Sequence, residues 1–348
     1  MSGIVGHSLY AVLGAKAAAH RGVGLAAIAT RNFPSFLAGA YLGSDIQVMP
    51  EAWCVDTGRE VGFGTAPLEK SPLTGGAVRP WVLKHDGRGY RPTEIHEKFY
   101  GRAHLVFGWP KAERDHAIPW DRLDTYFAAV LEDTLDFFGP SERALAYVLG
   151  WMVHVVGDSL IKSQRAGLEL HLLDGKYTPR NRQIQDLVSF HEIGIKEFHL
   201  NWPALLADLA ATPVEPAQLH YMRIAEKRGR LAAAFPDLWE PAHQPLLCAV
   251  LAENRRWCAQ HARDELAAVA LTPGADGKPE CSETIRRSTG LNYAQMVELA
   301  EQAHFRRALG YIGDVIADLM EATVRASSRV RQLGGDHGPG WEAWMKRW

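Results

Sequence analysis

Residues 144–161 read Ala-Leu-Ala-Tyr-Val-Leu-Gly-Trp-Met-Val-His154-Val-Val-Gly-Asp158-Ser-Leu-Ile. A helix that is apolar all the way round has no solvent face and belongs in the middle of a fold. His154 and Asp158 lie four positions apart, so they share one face of that helix. An ionised carboxylate in such surroundings costs several kcal/mol unless it meets a cation or strong donors. Three partners satisfy the pair on paper: a mutual His–Asp hydrogen bond, an arginine from another helix, or a divalent metal shared with the imidazole. The run is shorter than the ~20 residues that span a bilayer, so it is expected to be a core helix.

Other His and Asp residues stand in similarly apolar segments. His7 follows Gly3-Ile-Val-Gly, Asp45 closes Phe36-Leu-Ala-Gly-Ala-Tyr-Leu-Gly-Ser, and His96 sits in Thr93-Glu-Ile-His-Glu-Lys-Phe-Tyr. Singly, each has an ordinary structural explanation. Together, neutral imidazoles and carboxylates of low-polarity segments suit zinc or a related divalent ion. His171, in Leu168-Glu-Leu-His-Leu-Leu-Asp, and His191, on the next helical stretch, extend the set of candidate ligands. Arg180 and Arg182 fall just beyond the metal helix, where guanidinium forks can clamp a phosphate.

The 348 residues carry a formal charge of −2, with 47% hydrophobic and 22% charged residues. That is an ordinary globular balance with no basic excess, so duplex nucleic acid is not an expected partner. Four cysteines occur without a CxxC pair, which argues against a thiolate zinc site and against a disulfide framework. The opening residues show no basic segment followed by a clean apolar one. The expected location is cytoplasmic. Oligomeric state is not legible.

Helical periodicity or composition marks residues 5–18, 35–42, 93–106, 120–138, 142–162, 182–198, 202–211, 215–234, 244–269 and 292–331. Trp81-Val-Leu-Lys84 ahead of Asp86-Gly87 reads as a strand entering a hairpin, the one β element expected, within a Gly- and Pro-rich excursion over 46–92. Residues 272–280 read as a surface loop. The organisation expected is all-α: a helical metal-binding part over 1–200 and a helical extension over 201–348.

The order of an early His, an Asp closing a small-residue helix, a later His and then Gly150-Trp-Met-Val-His154-Val-Val-Gly-Asp158 resembles the zinc-dependent phospholipase C family, whose superfamily includes the S1/P1-type nucleases. The opening Met1-Ser-Gly-Ile-Val-Gly-His7-Ser-Leu-Tyr is similar to the start of the family's intracellular members. The resemblance covers roughly residues 1–200. It implies a multi-helix core, a cluster of up to three zinc ions that the chain's departures from the pattern reduce to one or two, and ligands at His7, Asp45, His96, His154 and Asp158, with Asp45 and Asp158 as the catalytic carboxylates. It also implies hydrolysis of a phosphodiester, in a small phosphate-containing substrate or a phospholipid headgroup, by a water whose pKa the metal lowers toward ~7. The chain departs from the pattern after Asp158. The family's further His is replaced by Ser159-Leu-Ile-Lys-Ser-Gln, and its helical HxxxE pair is missing from Gln185 to Glu192. A helical scaffold that keeps only a structural metal site is the alternative reading.

Overall fold

A computed structural model describes residues 3–42, 52–54, 59–61, 73–74, 83–85, 88–90, 122–161, 168, 170–175, 178–228 and 244–333. Of these, 77% are helical. The fold is all-α, as the sequence leads one to expect. Among the described residues no helix is long and apolar enough to cross a membrane.

Three helices form the centre: α1 (Ile4–His20), α3 (Phe33–Leu42) and α5 (Glu142–Leu160), with the short α2 (Leu25–Arg31) between the first two. The periodic apolar run becomes α5, and every residue from Ala144 to Leu160 is buried. Glycine decides how α3 and α5 meet. A Cβ at Gly39 would fall on the Tyr147 carbonyl oxygen, and one at Gly150 on the Phe36 carbonyl oxygen. The two backbones therefore touch at a Gly–Gly crossing that no other residue permits. Such closeness brings the last turn of α3 directly against the His154 level of α5.

α12 (Phe305–Ala326) packs along α1. Gly14 accepts the Ile316 side chain, and Gly313 accepts Leu13, so these helices also pack closely along their length. α4 (Leu123–Phe138) lies against α5 and α12 and contributes Phe127, whose ring meets Trp151 at 4.7 Å. Fully burying a large apolar side chain is worth roughly 1.5–3 kcal/mol. The side chains along α5 thus supply the free energy that holds the polar His154 and Asp158 inside.

The chain then runs through α6 (Pro179–Val188), a π-helix (Ser189–Ile195), α7 (Trp202–Ala211), α8 (Glu215–Arg228), α9 (Gln244–Ala268), α10 (Glu283–Thr289), α11 (Tyr293–Gln302), α12 and α13 (Ser328–Gln332). Local signals set these limits. Thr178 caps α6, with Pro179 at the first helical position. Asn201 caps α7, Asn292 and Gln295 make a capping box on α11, and Gly290 ends α10 in the left-handed region. One buried apolar cluster runs through both the 1–200 and 201–348 parts.

Several elements differ from the sequence reading. The single helix expected over 292–331 is three, because His304 adopts φ 53° between α11 and α12 and Ser327 is extended before α13. Apolar side chains stay in phase on both sides of His304 (Ala300, then Phe305 and Ala308 are all buried), so periodicity does not reveal the break. The helix expected over 182–198 starts earlier and widens into the π-helix. The expected hairpin is present as β3 (Leu83–His85) paired antiparallel with β4 (Arg88–Tyr90). Two further pairs accompany it: β1 (Ala52–Cys54) with β2 (Arg59–Val61), and β5 (Thr272–Pro273) with β6 (Pro279–Glu280) inside the expected loop. Strands of two or three residues are too short to carry a readable alternation. The helix expected over 93–106 lies outside the described residues, as do residues 229–234.

Candidate metal centre

His7, His154 and Asp158 come together between α1 and α5, each no more than 3% exposed. Asp158 presents one oxygen to each ring. Its Oδ1 lies 3.6 Å from His7 Nε2, and its Oδ2 lies 3.8 Å from His154 Nε2. Both separations exceed a hydrogen bond. The mutual His–Asp bond considered from sequence is therefore not formed.

The Gly39–Gly150 crossing fixes the tautomer of His154. It lets the Ala40 carbonyl reach His154 Nδ1 at 2.9 Å. A carbonyl only accepts, so Nδ1 carries a proton, and in the neutral ring Nε2 keeps its lone pair. That nitrogen is buried and, among the described residues, makes no hydrogen bond. A metal-ligating imidazole is arranged the same way, with one nitrogen tied to a carbonyl and the other bare. His7 is neutral. Burial, with the neighbouring His154 adding to it, drives its pKa down to about 3 against the opposing pull of Asp158.

Aromatic rings frame the pair. Tyr10 meets His7 edge-on at 5.9 Å, and Tyr41, at the end of α3, lies 6.2 Å from it. Gly157 makes room for Tyr10, since a Cβ there would collide with that ring. Tyr41 also ties the site to α9, donating to the Cys258 carbonyl at 3.3 Å.

The two imidazoles are stacked, with centroids 4.6 Å apart and planes within 6° of parallel. A ring nitrogen's lone pair lies in the ring plane, so these lone pairs run side by side and do not meet at one point. Accordingly, among the described residues no group of three or more His, Cys, Asp or Glu is placed to hold an ion by itself. What the geometry offers is two half-sites, each an imidazole with one Asp158 oxygen.

Asp45 and His96, the other ligands that the resemblance implies, lie outside the described residues. His171 is buried in the turn preceding α6. His191 sits half-buried on the π-helix, where its Nε2 donates to the Val269 carbonyl at 2.8 Å and its ring meets Tyr293 edge-on. Burial lowers its pKa, against the pull of that hydrogen bond. Its bonded neighbour is thus the end of α9.

Neither arginine of the expected phosphate clamp presents a free fork. Arg180 donates through Nε to the Ser288 carbonyl and through Nη2 to the Thr289 carbonyl, both at 3.1 Å, capping the end of α10, and it pairs with Asp174. Arg182 is buried between Asp186 and Glu265. In this arrangement both side chains hold the protein's own elements together.

Sequence reasoning missed the Ala40 carbonyl and the two tyrosines. The readable signal was the small-residue character of Leu37-Ala-Gly-Ala-Tyr41 opposite Gly150, which marks a close helix crossing. Compared with models of known families, with characterised proteins and with solved structures, the chain matches none.

Proposed function

We propose that the protein is a metal-dependent hydrolase of phosphodiester bonds, with Asp158 bridging two half-sites completed by His7 and His154. The observation that carries this reading is the bare, buried Nε2 of His154, held in the ligating tautomer by Ala40 and set 3.8 Å from a carboxylate oxygen. Two ligands on one zinc ion, each at about 2.0–2.2 Å, are separated by roughly 3.0–3.8 Å depending on the angle between them. The His–carboxylate spacings fit that range, and neutral imidazole with carboxylate is the donor chemistry zinc prefers, although other divalent ions accept it too.

A bound ion would supply Lewis acidity, both to a water and to a non-bridging phosphate oxygen. The chain's own part is to keep His7 neutral, to hold the His154 tautomer through Ala40, and to keep the Asp158 carboxylate between the rings. Among the described residues neither half-site is a complete cage. Asp45 and His96 are the residues that the family resemblance offers to complete them. The substrate class, a small phosphodiester or phospholipid headgroup, rests on that resemblance.

One observation favours a second reading, a scaffold with a structural ion. Arg180 and Arg182 are engaged within the protein, and the three site residues are almost wholly buried. Assay of the zinc-loaded protein on bis-(p-nitrophenyl) phosphate and on phosphatidylcholine vesicles separates the two. The hydrolase reading expects turnover that Asp158→Asn reduces at least a hundredfold while helix content is kept. Zinc bound stoichiometrically with no turnover on either substrate leaves the scaffold standing.

A further inference from the structure

Between the π-helix and the turn that joins α11 to α12 lies a cavity of ≈ 480 Å³. Small-molecule sites typically enclose about 300–1,000 Å³ and are mostly apolar, with a few polar groups that orient the ligand. Val188, Ile193, Val297, Ala300 and Phe305 supply the apolar lining here. None of the lining residues belongs to the His7–His154–Asp158 centre.

Two struts tie the walls together. The Tyr293 hydroxyl of α11 donates to Glu192 Oε1 of the π-helix at 2.5 Å, and Lys196 donates to the other oxygen of that carboxylate at 2.6 Å. Arg306 of α12 grips Glu197 with two hydrogen bonds of 2.6 Å. These two carboxylates line the cavity but already have donors from the protein. Glu301, His304 and Arg307 are different. All three line the cavity and are exposed, and among the described residues none of their side chains makes a hydrogen bond or an ion pair. His304 also adopts φ 53° and ψ 36°, a left-handed conformation that costs an L residue free energy and costs glycine little. Gly290 takes that conformation at the end of α10. The opposite wall is irregular too, since π-helical turns are rare and often lie at functional sites.

We propose that this cavity binds a small zwitterion with an apolar body, of the class of an apolar amino acid or dipeptide. Arg307 receives the carboxylate on its guanidinium fork, with the His304 ring as a second donor. Glu301 receives the ammonium, and the apolar side chain rests on Val188, Val297 and Ala300. Free groups of both signs beside one cavity decide the class. A purely anionic ligand would leave Glu301 unmatched, and a purely cationic one would leave Arg307 unmatched. Glu192 and Glu197, saturated by their own partners, do not compete for the ammonium. This inference does not depend on the hydrolase reading.

Calorimetric titration of the full chain with leucine and with leucyl-leucine tests it. At least one of the two should bind saturably, one per chain, with Kd of about 1 mM or tighter. Amidating the carboxylate or acetylating the amine of that probe should each weaken binding about fivefold. Arg307→Gln should weaken the zwitterion about fivefold and leave the amide unaffected, and Glu301→Gln should do the same with respect to the acetylated probe. Both positions are exposed, so helix content should be unchanged in either variant. No saturable binding of either probe below about 10 mM overturns the proposal. Blocked probes that bind as tightly as the zwitterion overturn it as well, and so does an affinity that neither substitution alters.

Discussion

α1 touches two buried polar clusters, and they are finished differently. Around Arg182 the charged groups have partners inside the protein: a carboxylate on either side of the guanidinium and a histidine beyond. Around Asp158 the groups stand 3.6 and 3.8 Å apart, and the His154 Nε2 lone pair has no hydrogen bond among the described residues. Burial is nearly equal in the two places, so burial does not distinguish a structural cluster from a candidate site. The distinction lies in spacing. Ion pairs at bonding distance lock helices together. Imidazoles set 3.6 and 3.8 Å from a carboxylate leave the separation that two ligands of one ion would leave.

The contrast makes graded predictions. Removing the shared cation is expected to do the most damage. Arg182→Met leaves two buried carboxylates without their partner and should lower unfolding free energy by about 3–5 kcal/mol in urea melts at pH 7. A loss below about 1 kcal/mol would show that the cluster is far less closed than its geometry indicates. Gly150→Ala comes next, at about 2–4 kcal/mol, because the added methyl meets the Phe36 backbone and cannot be relieved by a side-chain rotation. The same variant should loosen the Ala40–His154 bond, visible as a change in the His154 ring resonances.

Asp158→Asn is expected to behave in the opposite way. Measured in chelator, it should cost far less stability than Arg182→Met, since neither imidazole bonds the carboxylate directly. A loss as large as that of Arg182→Met would erase the comparison. The smallest effect belongs to His191. Its folded pKa lies below the unfolded value, so it contributes stability above the unfolded pKa that is lost as pH falls below ~6.5. Replacing it with Gln should flatten that acid limb slightly in thermal melts between pH 7 and 5.

Much of this was legible in the chain. The apolar run of α5 announces a buried helix by composition alone, and the His154–Asp158 spacing places both groups on one face. His7 was readable as a polar residue in an apolar turn, although nothing local told that its ring would stack on His154. Arg180 and Arg182 misled because a sequence shows donors and not their acceptors, which here come from α10 and α9, about 80 to 110 positions away. His304 escaped for a different reason. A single left-handed residue can break a helix while leaving the apolar phase intact, and periodicity has no means of registering that.

The central claim is that a divalent ion belongs beside Asp158. Elemental analysis of the purified protein, side by side with Asp158→Asn, addresses it most directly. One or two zinc ions per native chain, and few or none in the variant, is the expected result. A folded native chain that carries no divalent metal and takes up none from micromolar zinc would contradict it.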